Sequence, residues 1–199
     1  MSGFKLSKGS SLNLSKETES LKIAGIGLGW NTDADLDVSA FCVGEDGHIP
    51  EMADFVFYGS QSMQVLEGED GPRPCSADAS VYGALDGLEE NEGDDQDMWI
   101  YFDRIADNIK EIIIVVTIHI EEGGTKVYFS SISGCYCRIW DQSSEKELCR
   151  YALGNDFGAA DSLEIGKFSR DGDGWIFTAL GNECQGGLTG FIKKYAYKF

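Results

Sequence analysis

The sequence predicts an all-β protein, a two-sheet antiparallel β-sandwich with long acidic loops at one end. Apolar and β-branched runs recur at short intervals, glycine is frequent between them (25 residues in the chain), and no long segment sustains a 3.6-residue period over several turns. The composition, 42% hydrophobic and 25% charged over 199 residues, suits one sizeable core and argues against disorder. A single domain over residues 1–199 is expected.

The strand candidates are Leu21 to Leu28, Leu36 to Val43, Phe55 to Tyr58, Met98 to Phe102, Ile112 to Ile120, Val127 to Ile132, Cys135 to Trp140, Leu148 to Leu153, Trp175 to Leu180 and Phe191 to Tyr197. Ile112 to Ile120 is apolar at both parities for most of its length, the mark of a central strand covered on both faces. Cys135 to Trp140 carries Arg138 within its alternation, as a strand with one wetter face would. Two packed sheets accommodate both patterns. A doubly wound α/β fold would need amphipathic helices of ten to fifteen residues between the strands, and the spacing does not provide them. Asp171-Gly172-Asp173-Gly174 reads as a tight hairpin turn ahead of Trp175. Residues 59–93, with Pro72, Pro74 and several acidic residues, read as a long loop excursion that ends in the acidic run Glu89, Glu90, Glu92, Asp94, Asp95 and Asp97.

Sixteen basic residues stand against 34 acidic ones, a formal charge of -18. Such a chain lacks the basic footprint that nucleic acid or an anionic membrane surface requires, and cations are its natural ligands. The N-terminal residues lack the apolar run of a secretory signal and no stretch approaches a membrane span, so a cytoplasmic location is expected. Cys42, Cys75, Cys135, Cys137, Cys149 and Cys184 contain no CxxC pair and are expected to be buried free thiols.

Two acidic constellations carry the chemistry. Asn31-Thr32-Asp33-Ala34-Asp35-Leu36-Asp37 runs into the strand that starts at Leu36, and period-two alternation puts Asp35 and Asp37 on one side with Leu36, Val38 and Ala40 opposite. Gly93-Asp94-Asp95-Gln96-Asp97 stands at another strand entrance. If the two entrances meet at one end of the sandwich, four to six oxygen ligands gather there. Like charges about 4 Å apart repel by about 4 kcal/mol at an effective dielectric near 20, a penalty that a hard divalent ion removes. Calcium, with its tolerance for irregular oxygen shells, suits such loops better than magnesium. Each cluster taken singly is equally well read as a solvated turn, and neither has EF-hand spacing. Gly25-Ile26-Gly27-Leu28-Gly29 lacks a following helix and leads into acidic residues, which excludes a phosphate loop. His48 and His119 lie far apart, and His119 within a strand reads as structural.

Several segments together resemble the TerD family of tellurite-resistance and stress-response proteins. They are Leu6-Ser7-Lys8-Gly9 with Leu12-Asn13-Leu14, Gly27-Leu28-Gly29-Trp30-Asn31, Asp35-Leu36-Asp37-Val38-Ser39-Ala40-Phe41, Asp54-Phe55-Val56-Phe57-Tyr58, Gly93-Asp94-Asp95-Gln96, Arg150-Tyr151, and the stretch from Gly174 to Gly181 with Gly186-Gly187-Leu188. The resemblance implies a β-sandwich that binds calcium through acidic loops near one end and works with protein partners in a stress-response system, without catalysis. Asp35 and Asp37 match the family's DLD pair, and Asp94 and Asp95 its GDDE motif. Gln96 replaces the final glutamate of that motif and Asn31 the aspartate that usually follows the tryptophan. Both changes remove a charge while leaving an amide oxygen able to ligate, and Asp33 and Asp97 complete the candidate set. Two other readings remain: a magnesium-dependent phosphatase using Asp35-Leu36-Asp37-Val38-Ser39 as its nucleophile motif, and an interaction domain that binds no metal.

Overall fold

The computed structural model describes residues 3–17, 21–31, 34–69, 71–85, 93–120, 124–153 and 157–199. In chain order the strands are β1 (Phe4–Leu6), β2 (Ser11–Asn13), β3 (Ile23–Asn31), β4 (Leu36–Val43), β5 (Phe55–Val56), β6 (Met63–Val65), β7 (Pro72–Pro74), β8 (Val81–Tyr82), β9 (Gln96–Tyr101), β10 (Glu111–Ile118), β11 (Ser133–Asp141), β12 (Lys146–Ala152), β13 (Ser162–Asp171) and β14 (Gly174–Cys184). A four-residue helix, α1 (Leu14–Glu17), follows β2, and α2 (Gly187–Tyr195) lies near the C-terminus.

Among the described residues the strands form two six-stranded sheets, β1-β12-β11-β3-β9-β8 and β2-β14-β13-β10-β4-β5, and the small pair β6-β7. Pairing is antiparallel apart from β1 with β12. The all-β sandwich is therefore present as the sequence predicts. Its core lies between the sheets, where alternation turns Ala24, Ile26 and Leu28 of β3 and Met98 and Ile100 of β9 toward Leu36, Val38 and Ala40 of β4 and Ile112, Ile114 and Val116 of β10. As expected of a central strand, β10 sits between β13 and β4, and its other face joins a second cluster with Phe41, Phe55, Phe191 and Tyr195 beneath α2.

Three expectations need correction. Phe191 to Tyr197 is helical over most of its length: Leu188, Phe191, Ile192 and Tyr195 form an i, i+3, i+4, i+7 stripe against the second sheet. Val127 to Ile132 is no strand. Phe129–Ser131 is a 3₁₀ turn whose Phe129 plugs the core at 2% exposure, with its N–H donating to the Ala160 carbonyl. The third concerns the 59–93 excursion, which is partly folded. Its strand β8 adds to the edge of the first sheet beside β9, β6 and β7 form the separate pair, and the buried guanidinium of Arg73 on β7 ties the segment to β9, bonding to Glu69, to the Asp97 carboxylate (2.7 Å) and to the Gly83 carbonyl (3.1 Å). β13 was not among the predicted strands; a bulge between Glu164 and Gly166 breaks its alternation. The Asp171 to Gly174 turn does close the β13-β14 hairpin, with Gly172 at φ +59°.

Candidate functional site

Both strand entrances arrive at the same end of the sandwich, one from each sheet. β4 belongs to the second sheet and β9 to the first, and the two are tied by a hydrogen bond from the Val38 N–H to Gln96 Oε1 at 2.8 Å. The Val38 N–H is available because β5 pairs only with Ala40 and Phe41, leaving the first part of β4 as a sheet edge. Around this contact a cleft of about 380 Å³ is lined by Asp35, Asp37, Asp95, Gln96, His119, Tyr58 and Leu85.

The candidate residues divide into three groups. Asp35, exposed, and Asp37, half-buried, line the cleft from β4 and the residue before it, while Leu36, Val38 and Ala40 point into the core. Asp95 and Gln96 line it from the other side, with Asp95 Oδ2 accepting the Trp30 N–H at 2.7 Å. The structure places Asp94 and Asp97 elsewhere. The chain bends at Asp95, so Asp94 and Asp97 both fall on the outer face of the first sheet. There the carboxylate of Asp94, 4% exposed, accepts two bonds from Arg138 Nε (2.7 and 3.0 Å), pairs with its Nη2 (2.6 Å) and accepts the Tyr136 hydroxyl (2.6 Å). Burial, and then this bond to Asp94, pushes the Tyr136 phenol up to about 12, so it remains a donor. Asp97 is held by Arg73. Asn31 ends β3 as an exposed residue whose carbonyl accepts the Ser133 hydroxyl at 3.3 Å. Asp33 lies outside the described residues, as do Glu89, Glu90 and Glu92.

The outer face that holds Asp94 also accounts for Gly25, Gly27 and Gly29. A Cβ on Gly27 would stand 2.1 Å from Asp94 Oδ2, and those on Gly25 and Gly29 would strike the rings of Trp140 and Tyr136. The glycines let an Asp-Arg-aromatic layer lie directly on the β3 backbone.

His119, Tyr58 and Leu85 belong to the cleft without having been singled out in the sequence as site residues. His119 follows β10, its N–H donating to the Asp35 carbonyl at 2.8 Å and its Nδ1 lying 3.8 Å from Asp37 Oδ2. The signal for it is pairing register: Ile118 opposes Leu36 and Thr117 opposes Asp37, so the residue after Ile118 must reach Asp35.

Three carboxylates and an amide are, in kind and in place, donors that fit a hard oxygen-seeking cation. Among the described residues no three histidine, cysteine, aspartate or glutamate side chains are drawn closely enough together to hold a metal ion. Holding one therefore requires side chains such as the exposed Asp35 to rotate inward. The phosphatase reading would want a parallel α/β scaffold, whereas β4 runs antiparallel to both β10 and β5. The six cysteines are free, with Cys42, Cys75, Cys137 and Cys149 buried and Cys135 and Cys184 half-buried. Among the described residues no helix is long and apolar enough to cross a membrane.

Fold and cleft together define a β-sandwich with an acidic end. Comparison with known proteins gives the family: the TerD domain model matches residues 2–195, and the chain belongs to the TerD domain family. It is 33% identical to the uncharacterized protein YceE of Bacillus subtilis (strain 168), and 32% identical to both the tellurium resistance protein TerD of Alcaligenes sp and the general stress protein 16U of Bacillus subtilis. Each alignment covers 96% of this chain, and 96%, 95% and 95% of the respective relatives. The crystal structure of a homologue of telluride resistance protein (TerD) from Streptomyces coelicolor A3(2) has the same fold. It superposes with a TM-score of 0.61 at 18% identity, over 86% of this chain and 95% of that one.

Proposed function

We propose that the chain is a calcium-binding module of a tellurium-resistance or general stress-response system, acting in the cytoplasm through a protein partner and not as an enzyme. The observation that carries the reading is the cleft in which Asp35 and Asp37 of one sheet face Asp95 and Gln96 of the other. The names of the relatives support the biological setting.

The chain's own residues supply the physics. Asp35, Asp37 and Asp95 bring like charge to one opening, and an ion there converts their repulsion into attraction across the two sheets. Asn31 and Gln96 add amide oxygens at the margin, and Asp33 is the remaining acidic residue of that segment. Asp94 and Asp97, engaged by Arg138 and Arg73, keep the β9 entrance in position instead of ligating. A bound cation would thus lock the two sheets together at this end.

Thermal melting in calcium and in chelator tests the reading. At a calcium concentration about one hundred times the dissociation constant the fold gains about 2.7 kcal/mol, read as a higher Tm. An unchanged Tm would contradict it.

A further inference from the structure

Strand β6 is an open edge. It pairs only with β7 among the described residues, and the Cys75 N–H bond to the Ser62 carbonyl at 2.9 Å sets the parity of that ladder. Ser62 and Gln64 turn their backbone groups toward β7, whereas Met63 and Val65 turn theirs away from it. Among the described residues nothing pairs with those outward N–H and carbonyl groups. Beyond β7, the Gly83 N–H bond to the Pro74 carbonyl (2.8 Å) and the bridge between Cys75 and Tyr82 carry the pair onto β8, so β6 ends a ribbon that grows out of the first sheet. Met63 and Val65 are 42% and 62% exposed, on the same side of the pair as Pro74 and Pro72 opposite them. The edge is also uncharged: no acidic or basic residue occurs from Ser60 to Leu66, in a chain of formal charge -18.

We propose that β6 is a self-association edge, pairing antiparallel with β6 of a second copy of this chain about a two-fold axis at Gln64. In that register Met63 stands opposite Val65 of the second copy, and Val65 opposite its Met63. These are the residues whose backbone groups face outward, so each of the two pairs exchanges both of its N–H···O bonds. The same register sets Ser62 against Leu66 and Gln61 against Glu67, so no acid meets an acid along residues 61–67. Charge selects the occupant. Two copies this acidic repel wherever their carboxylates meet, and they can approach along a run that brings none. Pairing uses up the edge in both copies, so the assembly stops at a dimer, and a contact this short belongs to the weak class. The proposal is independent of the calcium reading.

Sedimentation equilibrium of the full chain in chelator, up to about 1 mM protein, tests it. Wild type should pass from monomer to dimer as concentration rises, and more readily at higher ionic strength, because screening removes the repulsion between copies. Val65→Pro deletes an outward N–H and leaves the β6-β7 ladder intact, a position where an edge strand tolerates proline. It should weaken the dimer by at least about tenfold at an unchanged melting temperature. Gln64→Glu sets two acids face to face at the axis while keeping an acceptor for the Tyr82 hydroxyl. It should weaken the dimer by about fivefold at low ionic strength, and it decides the matter if Val65→Pro lowers the melting temperature. In hydrogen exchange, the Met63 and Val65 amides of wild type should gain protection with concentration. A wild type that stays monomeric at about 1 mM in high salt, or a dimer that the folded variants form as readily as wild type, would overturn the proposal.

Discussion

Asp54, at 4% exposure, closes the 3₁₀ turn Met52–Asp54 and accepts the Glu51 N–H at 3.2 Å. Burial pushes its carboxyl up to about 6, with the charge of Asp78 adding to the rise and the Glu51 N–H opposing it. A folded-state value above the unfolded one means that the native chain binds the proton more tightly, so this group's contribution grows as pH falls through about 6 and is absent at neutral pH. Between pH 7.5 and pH 5 the stability of wild type should therefore rise relative to Asp54→Asn by about 1.4 kcal/mol, measured by urea unfolding of both proteins at the two pH values. A difference independent of pH would contradict the assignment. The Asp94 carboxylate makes the opposite case, a buried charge fully paired. Asp94→Ala strands Arg138 and should cost about 3 kcal/mol in urea unfolding; an unchanged stability would contradict the pairing. Which residues line the cleft was legible where alternation alone decides. Asp35 and Asp37 stand at the start of a regular strand, so parity aims them. Asp94 and Asp97 were not legible, because their partners lie 44 and 24 residues away and a bend at Asp95 resets the alternation.

At the level of elements, α2 shows how a polar contact orients an apolar one. Phe191 and Tyr195 cover Phe41 and Val115, and the Tyr195 hydroxyl donates to buried Glu164 at 2.6 Å, beside Asn182 (3.0 Å) and Lys194. Asp161 bonds the N–H groups of Gly186 (3.1 Å) and Gly187 (3.0 Å) where the helix begins. Tyr195→Phe removes one of the bonds to Glu164 and should cost about 1 kcal/mol, whereas Phe191→Ala opens a cavity and should cost about 3 to 5 kcal/mol; equal losses in denaturant unfolding would contradict this division. The aromatic run from Phe191 to Tyr197 fits a strand and a short helix almost equally well, and what selects the helix is an apolar patch on the outside of a sheet formed by residues far away in sequence. Strand β10 was legible for the converse reason: double-sided burial is written in its own residues. Strand β13 was hidden by its bulge and by Glu164 and Lys167, whose partners Lys194 and Glu111 come from other elements.

On the scale of the whole molecule, the sandwich turns two acidic segments separated by about sixty residues into opposite walls of one opening. The net charge of -18 makes that juxtaposition costly in the absence of a counter-charge, although three arginines (Arg73, Arg138 and Arg150) offset part of the load on the first sheet's outer face. A distribution in which arginines hold Asp94 and Asp97 while Asp35, Asp37 and Asp95 line a cleft is what a cation site needs: a rigid frame and a charged mouth. The most direct measurement is calorimetric titration of wild type and of the double variant Asp35→Asn, Asp37→Asn with calcium, both proteins first shown to share a melting temperature in chelator. Wild type should bind calcium saturably and the variant should lose that binding; the absence of binding to wild type, or equal binding to both, would contradict a calcium site in the cleft.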